Sequence, residues 1–200
     1  PRIQAEDLGV VLQLENDLIY STVEMERNGA FIDVELCAKW LAETGAEYEA
    51  RLFQIHKETG LRINPNSGPE MLKLFNKLGI KNPYLTDGDK PKESFAEEVL
   101  IQFSHPVVQL ALEARQLSSL RTKYLAKYLN SAEPDGRIRY QLHQLRSDEG
   151  GTITGRYSSS GYSGNKVNIQ QVSANEKQPL LLQRWPVRQL FIAPVNESYV

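Results

Sequence analysis

Apolar residues recur at helical spacing through most of the first 130 positions. Val11, Leu14, Leu18 and Met25 recur at helical spacing and predict a helix, and Gly29 after Asn28 predicts its stop. The stretch "AFID" then reads as a short extended piece. Cys37, Leu41, Tyr48, Leu52 and Ile55 form a second stripe, which predicts a helix from about Val34 to Thr59 closed by Gly60. Ser67 and Glu70 have capping-box spacing ahead of a short helix whose buried face is expected at Leu72, Phe75 and Leu78. A turn-rich connector, "KNPYLTDGDKPKE", leads to a second such box, Ser94 with Glu97, for a helix ending near Phe103. Pro106 suits the first turn of a long helix to about Asn130. Leu110, Leu117, Tyr124 and Tyr128 share one of its faces, and Arg115, Lys123 and Lys127 lie together on the other. Arg121 falls among the apolar positions, so its head group either snorkels to water or reaches a ligand.

Beyond residue 130 the pattern changes. "PDGRIRYQLHQL" reads as a turn and a strand with Ile138, Tyr140 and Leu142 alternating. "GTITGRYSSSGYSGNKVNIQQV" has too many Gly, Ser and Thr for a helix, and "VRQLFIAP" is a further short apolar element. The predicted fold class is α+β, mainly α, with long helices first and extended elements after.

Composition narrows the function classes. No apolar run approaches the roughly 20 residues that span a bilayer, and no signal-peptide pattern opens the sequence. Cys37 is the only cysteine, which excludes an internal disulfide and fits a reducing compartment. The net charge of −2 is unevenly spread: residues 1–60 carry −7, residues 61–113 carry −1 and residues 114–200 carry +6. Such asymmetry suggests a polyanion-facing C-terminal part, the alternative being solvated helix faces. His56, His105 and His143 are far apart with no Cys or carboxylate cluster around them, so no metal site is expected.

Several stretches, in order along the chain, resemble family A DNA polymerases, the DNA polymerase I type. "LENDLIYSTVEMERNGAFID" is similar to that family's entry to the thumb, "INPNSGPEMLKLFNKLGI" to its Asn-x-x-Ser thumb element, and "EARQLSSLRTKYLAKYL" to its long thumb helix. "TITGRYSSS" resembles the Thr-Gly-Arg-Leu-Ser-Ser signature, "VNIQQV" the Asn-Leu-Gln-Asn segment that follows it, and "VRQLFIAP" the lead into the palm. Tyr157 stands where the family has leucine, Ser173 where it has proline, and the stretches at His143–Thr152 and Ser160–Lys166 are expanded; these departures mark a divergent, phage-like member.

The resemblance implies an organisation and an activity. Residues 1–33 would form the entry helix and strand at the thumb base, 34–130 the helical thumb, and 131–200 the proximal palm, ending before the first catalytic aspartate. The implied reaction is templated addition of dNTPs to a primer 3′ end, in replication or repair, in the cytoplasm of a bacterial or phage-infected cell. Mg²⁺ would serve the complete enzyme through ligands outside this sequence, so the 200 residues alone are expected to be inactive. Expected partners are primer–template DNA, dNTP through palm and fingers, and, if the gene is split, a separate palm–fingers chain.

The residues themselves suit a duplex of any sequence. Every base pair presents minor-groove acceptors at similar places, and Arg156 is a fork of permanently charged donors. Asn168, Gln170 and Gln171 add amide donors; Thr154, Ser158 and Ser159 orient the arginine, bond phosphates or shape the loop. Arg115, Arg121, Lys123 and Lys127 are candidate phosphate contacts, which position a duplex without reading it. Asn64, Asn66 and Ser67 are candidates for the DNA backbone at the thumb, and Arg188 for support of the palm. Two rival readings are a non-enzymatic duplex-binding module and a helical protein-interaction domain.

Overall fold

The computed structural model describes residues 9–87, 91–144, 156–162, 164 and 167–193. Helices dominate, with two small antiparallel sheets, in agreement with the α+β, mainly α expectation. Two compact units form. The first draws on Pro1–Ala38, Ala126–Lys177 and Pro186–Val200, the second on Lys39–Leu125 and Gln178–Trp185.

In the first unit, α1 spans Gly9–Asn28 and β1 Ala30–Phe31. The residues after Gly29 therefore extend as expected, and Asp33 starts α2 (Val34–Thr59) by accepting the Leu36 N–H at 2.8 Å. β1 pairs with β2 (Arg137–Ile138), in register Ala30 with Ile138. Two glycines permit this approach. Gly29 and Gly136 both have positive φ, and a Cβ on them would meet the Ile138 carbonyl oxygen at 2.7 Å and the Phe31 ring at 2.8 Å. Ile32, Ile138, Val187 and Leu190 are buried here, and Tyr128 meets Phe191 edge-on at 5.4 Å.

The single strand expected over Ile138, Tyr140 and Leu142 is two strands in two sheets. β3 (Tyr140–His143) leaves β2 and pairs instead with β4 (Ser158–Gly161), Leu142 opposite Ser159. Arg139 marks the break. Its guanidinium bonds Glu133, Asp135 and the Arg27 carbonyl, which ties the turn before β2 to the end of α1.

The face that α1 turns inward is not its apolar stripe. Val11, Leu14 and Met25 are exposed and Leu18 is half-buried; among the described residues the buried side chain of α1 is Thr22. The inward stripe is polar. Glu15 accepts from Gln144, Thr22 meets Tyr157, and Glu26 accepts the Leu142 N–H at 2.6 Å. Residues 15, 22 and 26 fall on one side of a 3.6-residue helix.

The second unit has an apolar core of Ile55, Ile63, Met71, Leu74, Phe75, Leu100 and Val108, among others. α2 has the expected bounds, and Gly60 ends it in the left-handed region. α3 is Gly68–Leu78, but its buried side is Met71, Leu74 and Phe75, with Leu72 and Leu78 only partly covered. α4 is Glu97–Leu100, N-capped by Ala96 rather than Ser94. α5 runs Pro106–Leu120 with His105 Nδ1 accepting from Val107 N at 3.2 Å. A π-helical turn, Arg121–Leu125, follows, and α6, Ala126–Ser131, belongs to the first unit. The expected single α-helix is thus interrupted: its buried positions step from Leu120 to Leu125, five residues, before resuming at Tyr128.

Candidate nucleic-acid interface

In the first unit the candidates gather around β4. Arg156 is exposed and lies two residues before the strand. The segment behind it is held by side-chain bonds. Asn168 donates from Nδ2 to the Ser159 carbonyl at 2.8 Å, and its Oδ1 accepts from the Ser159 hydroxyl and from Gln170 N at 3.0 Å. This bracket caps the 3₁₀ turn Ile169–Gln171. Ser159 is buried and Asn168 half-buried, and the two are bonded to each other. Ser160 bonds His143 at 2.8 Å across the sheet. Ser158 is half-buried, and Thr154 lies outside the described residues.

Gln170 and Gln171 are exposed, as an amide donor for a ligand must be. Gln170 Nε2 donates to the Tyr157 carbonyl at 3.0 Å, which joins the "NIQQ" turn to the residue after Arg156. Arg188 reaches the Val172 carbonyl through Nε at 3.4 Å and Nη2 at 3.3 Å and so supports the end of the same turn. A cleft of about 550 Å³ opens there, lined by Gln170, Arg188, Phe31, Tyr140, Val172 and Phe191 among others. Lys127, on α6, is half-buried.

In the second unit the candidates separate into anchored and exposed groups. Arg115 is anchored. Its Nε donates to the Pro65 carbonyl at 3.0 Å, and its two amino groups reach Pro65 and Phe95 carbonyls. Burial lowers its pKa from the ordinary arginine value. It fastens two loops to α5. Gln116, next to it on α5, is buried and donates to Glu97 at 2.6 Å. Lys123 is exposed.

Arg121 lies between the two alternatives the sequence left open. Its guanidinium carbon sits 5.8 Å from the Tyr48 ring centre. A Cβ on Gly45 would come within 3.3 Å of its Nη2, so the glycine makes room for the head group. Its Nε is buried without a hydrogen-bond partner.

The capping box at Ser67 does not form. Ser67 makes no side-chain cap, and Glu70 reaches past it to accept the Asn64 N–H at 2.6 Å. Asn64 Oδ1 in turn accepts from Asn66 N at 2.9 Å, and Asn66 Nδ2 donates to Ser118 on α5 at 3.1 Å. Asn64 and Asn66 are both exposed. Sequence reasoning missed the Gly45 notch and the polar stripe of α1. Only the second left a signal, in the helical spacing of Glu15, Thr22 and Glu26.

The profile of DNA polymerase family A matches residues 34–200. The chain belongs to DNA polymerase family A. Its relatives in the family include the DNA polymerase DpoZ of Acinetobacter phage SH-Ab 15497, 28% identical over 88% of this chain and 30% of the phage protein. The thermostable DNA polymerase I of Thermus filiformis is 30% identical over 80% of this chain and 19% of its own length. This family A chain therefore spans less than a third of the relatives it matches. Among solved structures, the polymerase domain of Pol1 from M. smegmatis, in complex with DNA primer-template and dNTP, has a TM-score of 0.68. It is 20% identical, over 88% of this chain and 29% of that one, a likeness of fold. Among the described residues no three His, Cys, Asp or Glu side chains come together as metal ligands, and no helix is long and apolar enough to cross a membrane.

Proposed function

We propose that this chain is the thumb and proximal palm of a DNA-directed DNA polymerase and holds the primer–template duplex while dNTPs are added to the primer 3′ end. The second unit corresponds to the thumb body, and the first to its base and the proximal palm. The observation that carries the reading is Arg156: an exposed, permanently charged donor beside a strand whose neighbours Ser159, Asn168 and Gln170 are bonded to one another and to the backbone. A backbone held by such bonds and carrying a long charged donor suits a probe of the minor groove, where purine N3 and pyrimidine O2 recur for every base pair. Gln171 is the second donor of that site, and Lys123, Lys127 and Arg121 meet phosphates. Asn64 and Asn66 offer amides to the sugar–phosphate backbone. No chemical step is assigned to a residue of this chain, and Mg²⁺ would be held elsewhere in the enzyme.

The test is a double cycle. A hydrogen bond from a charged donor is worth about 1.5–3 kcal/mol, so Arg156→Ala should weaken primer–template binding about ten- to a hundredfold. Replacing the terminal primer guanine by 3-deazaguanine removes the N3 acceptor and should weaken the wild type similarly, yet add little to Arg156→Ala. Independent, multiplicative losses would show that Arg156 does not read that atom.

A further inference from the structure

The residue after Arg156 is fastened to α1 by one hydroxyl pair. Tyr157 Oη lies 2.8 Å from Thr22 Oγ1, and Thr22 donates to the Leu18 carbonyl at 2.9 Å. With the threonine proton committed, the tyrosine is the donor of the pair. Thr22 is only 8% exposed and, among the described residues, is the buried side chain of a helix most of whose apolar residues are exposed. Its neighbours on the inward stripe, Glu15 and Glu26, bond Gln144 and Leu142 N on or beside β3. The backbone of Tyr157 is pinned separately by Gln170. Tyr157 is therefore held at both its side chain and its carbonyl, one bond from Arg156.

We infer that the Tyr157–Thr22 hydroxyl pair is a latch that sets where Arg156 points, making both residues positioning residues for recognition of the primer–template minor groove. The inference rests on the proposed role of Arg156 and adds the element that fixes its aim. An arginine on an untethered strand end has rotamer and backbone freedom to lose on binding; a tether removes part of that loss beforehand. A single hydroxyl pair can do this because the tyrosine ring extends the reach of the backbone to α1, where a shorter apolar side chain has no donor to offer.

The experiment measures binding of the full chain to two primer–templates, with guanine or 3-deazaguanine at the primer terminus. Wild type should favour guanine about tenfold. Tyr157→Phe, which keeps the ring and removes the hydroxyl, should reduce that preference to about threefold or less, and Thr22→Ala should do the same. Combining them should be no worse than either alone. Thr22→Ser keeps the acceptor and should keep the preference. Melting temperatures of all four variants should stay within about 5 °C of wild type, because one hydrogen bond is worth about 1 kcal/mol. A merely structural pair would move melting and leave the preference untouched. If Tyr157→Phe and Thr22→Ala discriminate as wild type does, the latch is overturned and the role of Arg156 stands. If wild type itself shows no preference, the reading of Arg156 fails and takes the latch with it.

Discussion

At the scale of single residues, Cys37 shows how thoroughly one contact environment sets reactivity. It is fully buried near the start of α2, and burial, reinforced by the nearby Asp33 carboxylate, pushes its thiol pKa up to about 11. The thiolate is the nucleophile, so iodoacetamide at pH 8 should label the native chain far more slowly than the urea-unfolded chain. Equal rates by mass spectrometry would contradict that burial. The same shift couples to stability with a definite sign. Below pH 9.0, the ordinary value, the thiol is protonated folded or unfolded. As pH rises from about 9 towards 11 the unfolded chain ionises first, so the folded state loses stability in that window. Cys37→Ala should flatten this part of the pH–stability curve.

At the scale of elements, α5 is joined to its surroundings by Arg115. Removing the side chain leaves the Pro65 and Phe95 carbonyls without their donors. Arg115→Ala should therefore cost about 1–3 kcal/mol in urea denaturation, while leaving the salt dependence of duplex binding near that of wild type. What the sequence revealed of these elements follows from what each one relies on. The bounds of α2 were legible because local signals decide them, Gly60 at one end and an extended "AFID" at the other. The capping boxes were not, because Glu70 found a better donor at Asn64 and Ser94 sits two residues too early. The π turn was hidden because its mark is a single five-residue step between buried positions, Leu120 to Leu125, within a pattern otherwise helical. For the candidate site, the motif singled out Arg156, which is exposed, and the "NIQQ" stretch, which forms a turn. It could not separate an exposed amide, such as Gln171, from one bonded to a neighbour, such as Asn168, since both are polar residues in the same short run.

At the scale of the molecule, the charge gradient along the chain bears on partners. Residues 114–200 carry +6, but the cations differ in availability. Arg115 and Arg139 are committed to internal carbonyls and carboxylates, whereas Lys123 is exposed and Lys127 half-exposed. Neutralising Lys123 and Lys127 as glutamines should lower the slope of log affinity against log salt by up to about one unit per true phosphate contact. An unchanged slope in a fluorescence titration would mark both as solvated side chains. The two units also differ in what holds them. The second closes on Phe75, Met71, Leu74 and their apolar neighbours, whereas α1 holds Leu142 of β3 and the residues flanking β3 and β4, Gln144 and Tyr157, through Glu26, Glu15 and Thr22. Releasing a polar grip exposes little hydrocarbon, and hydration of polar surface lowers heat capacity where apolar surface raises it. Detachment of α1 should therefore carry a smaller heat-capacity change than unfolding of the second unit. The apolar core of the second unit instead has the larger heat-capacity change, so its stability follows a curve with a temperature of maximum stability.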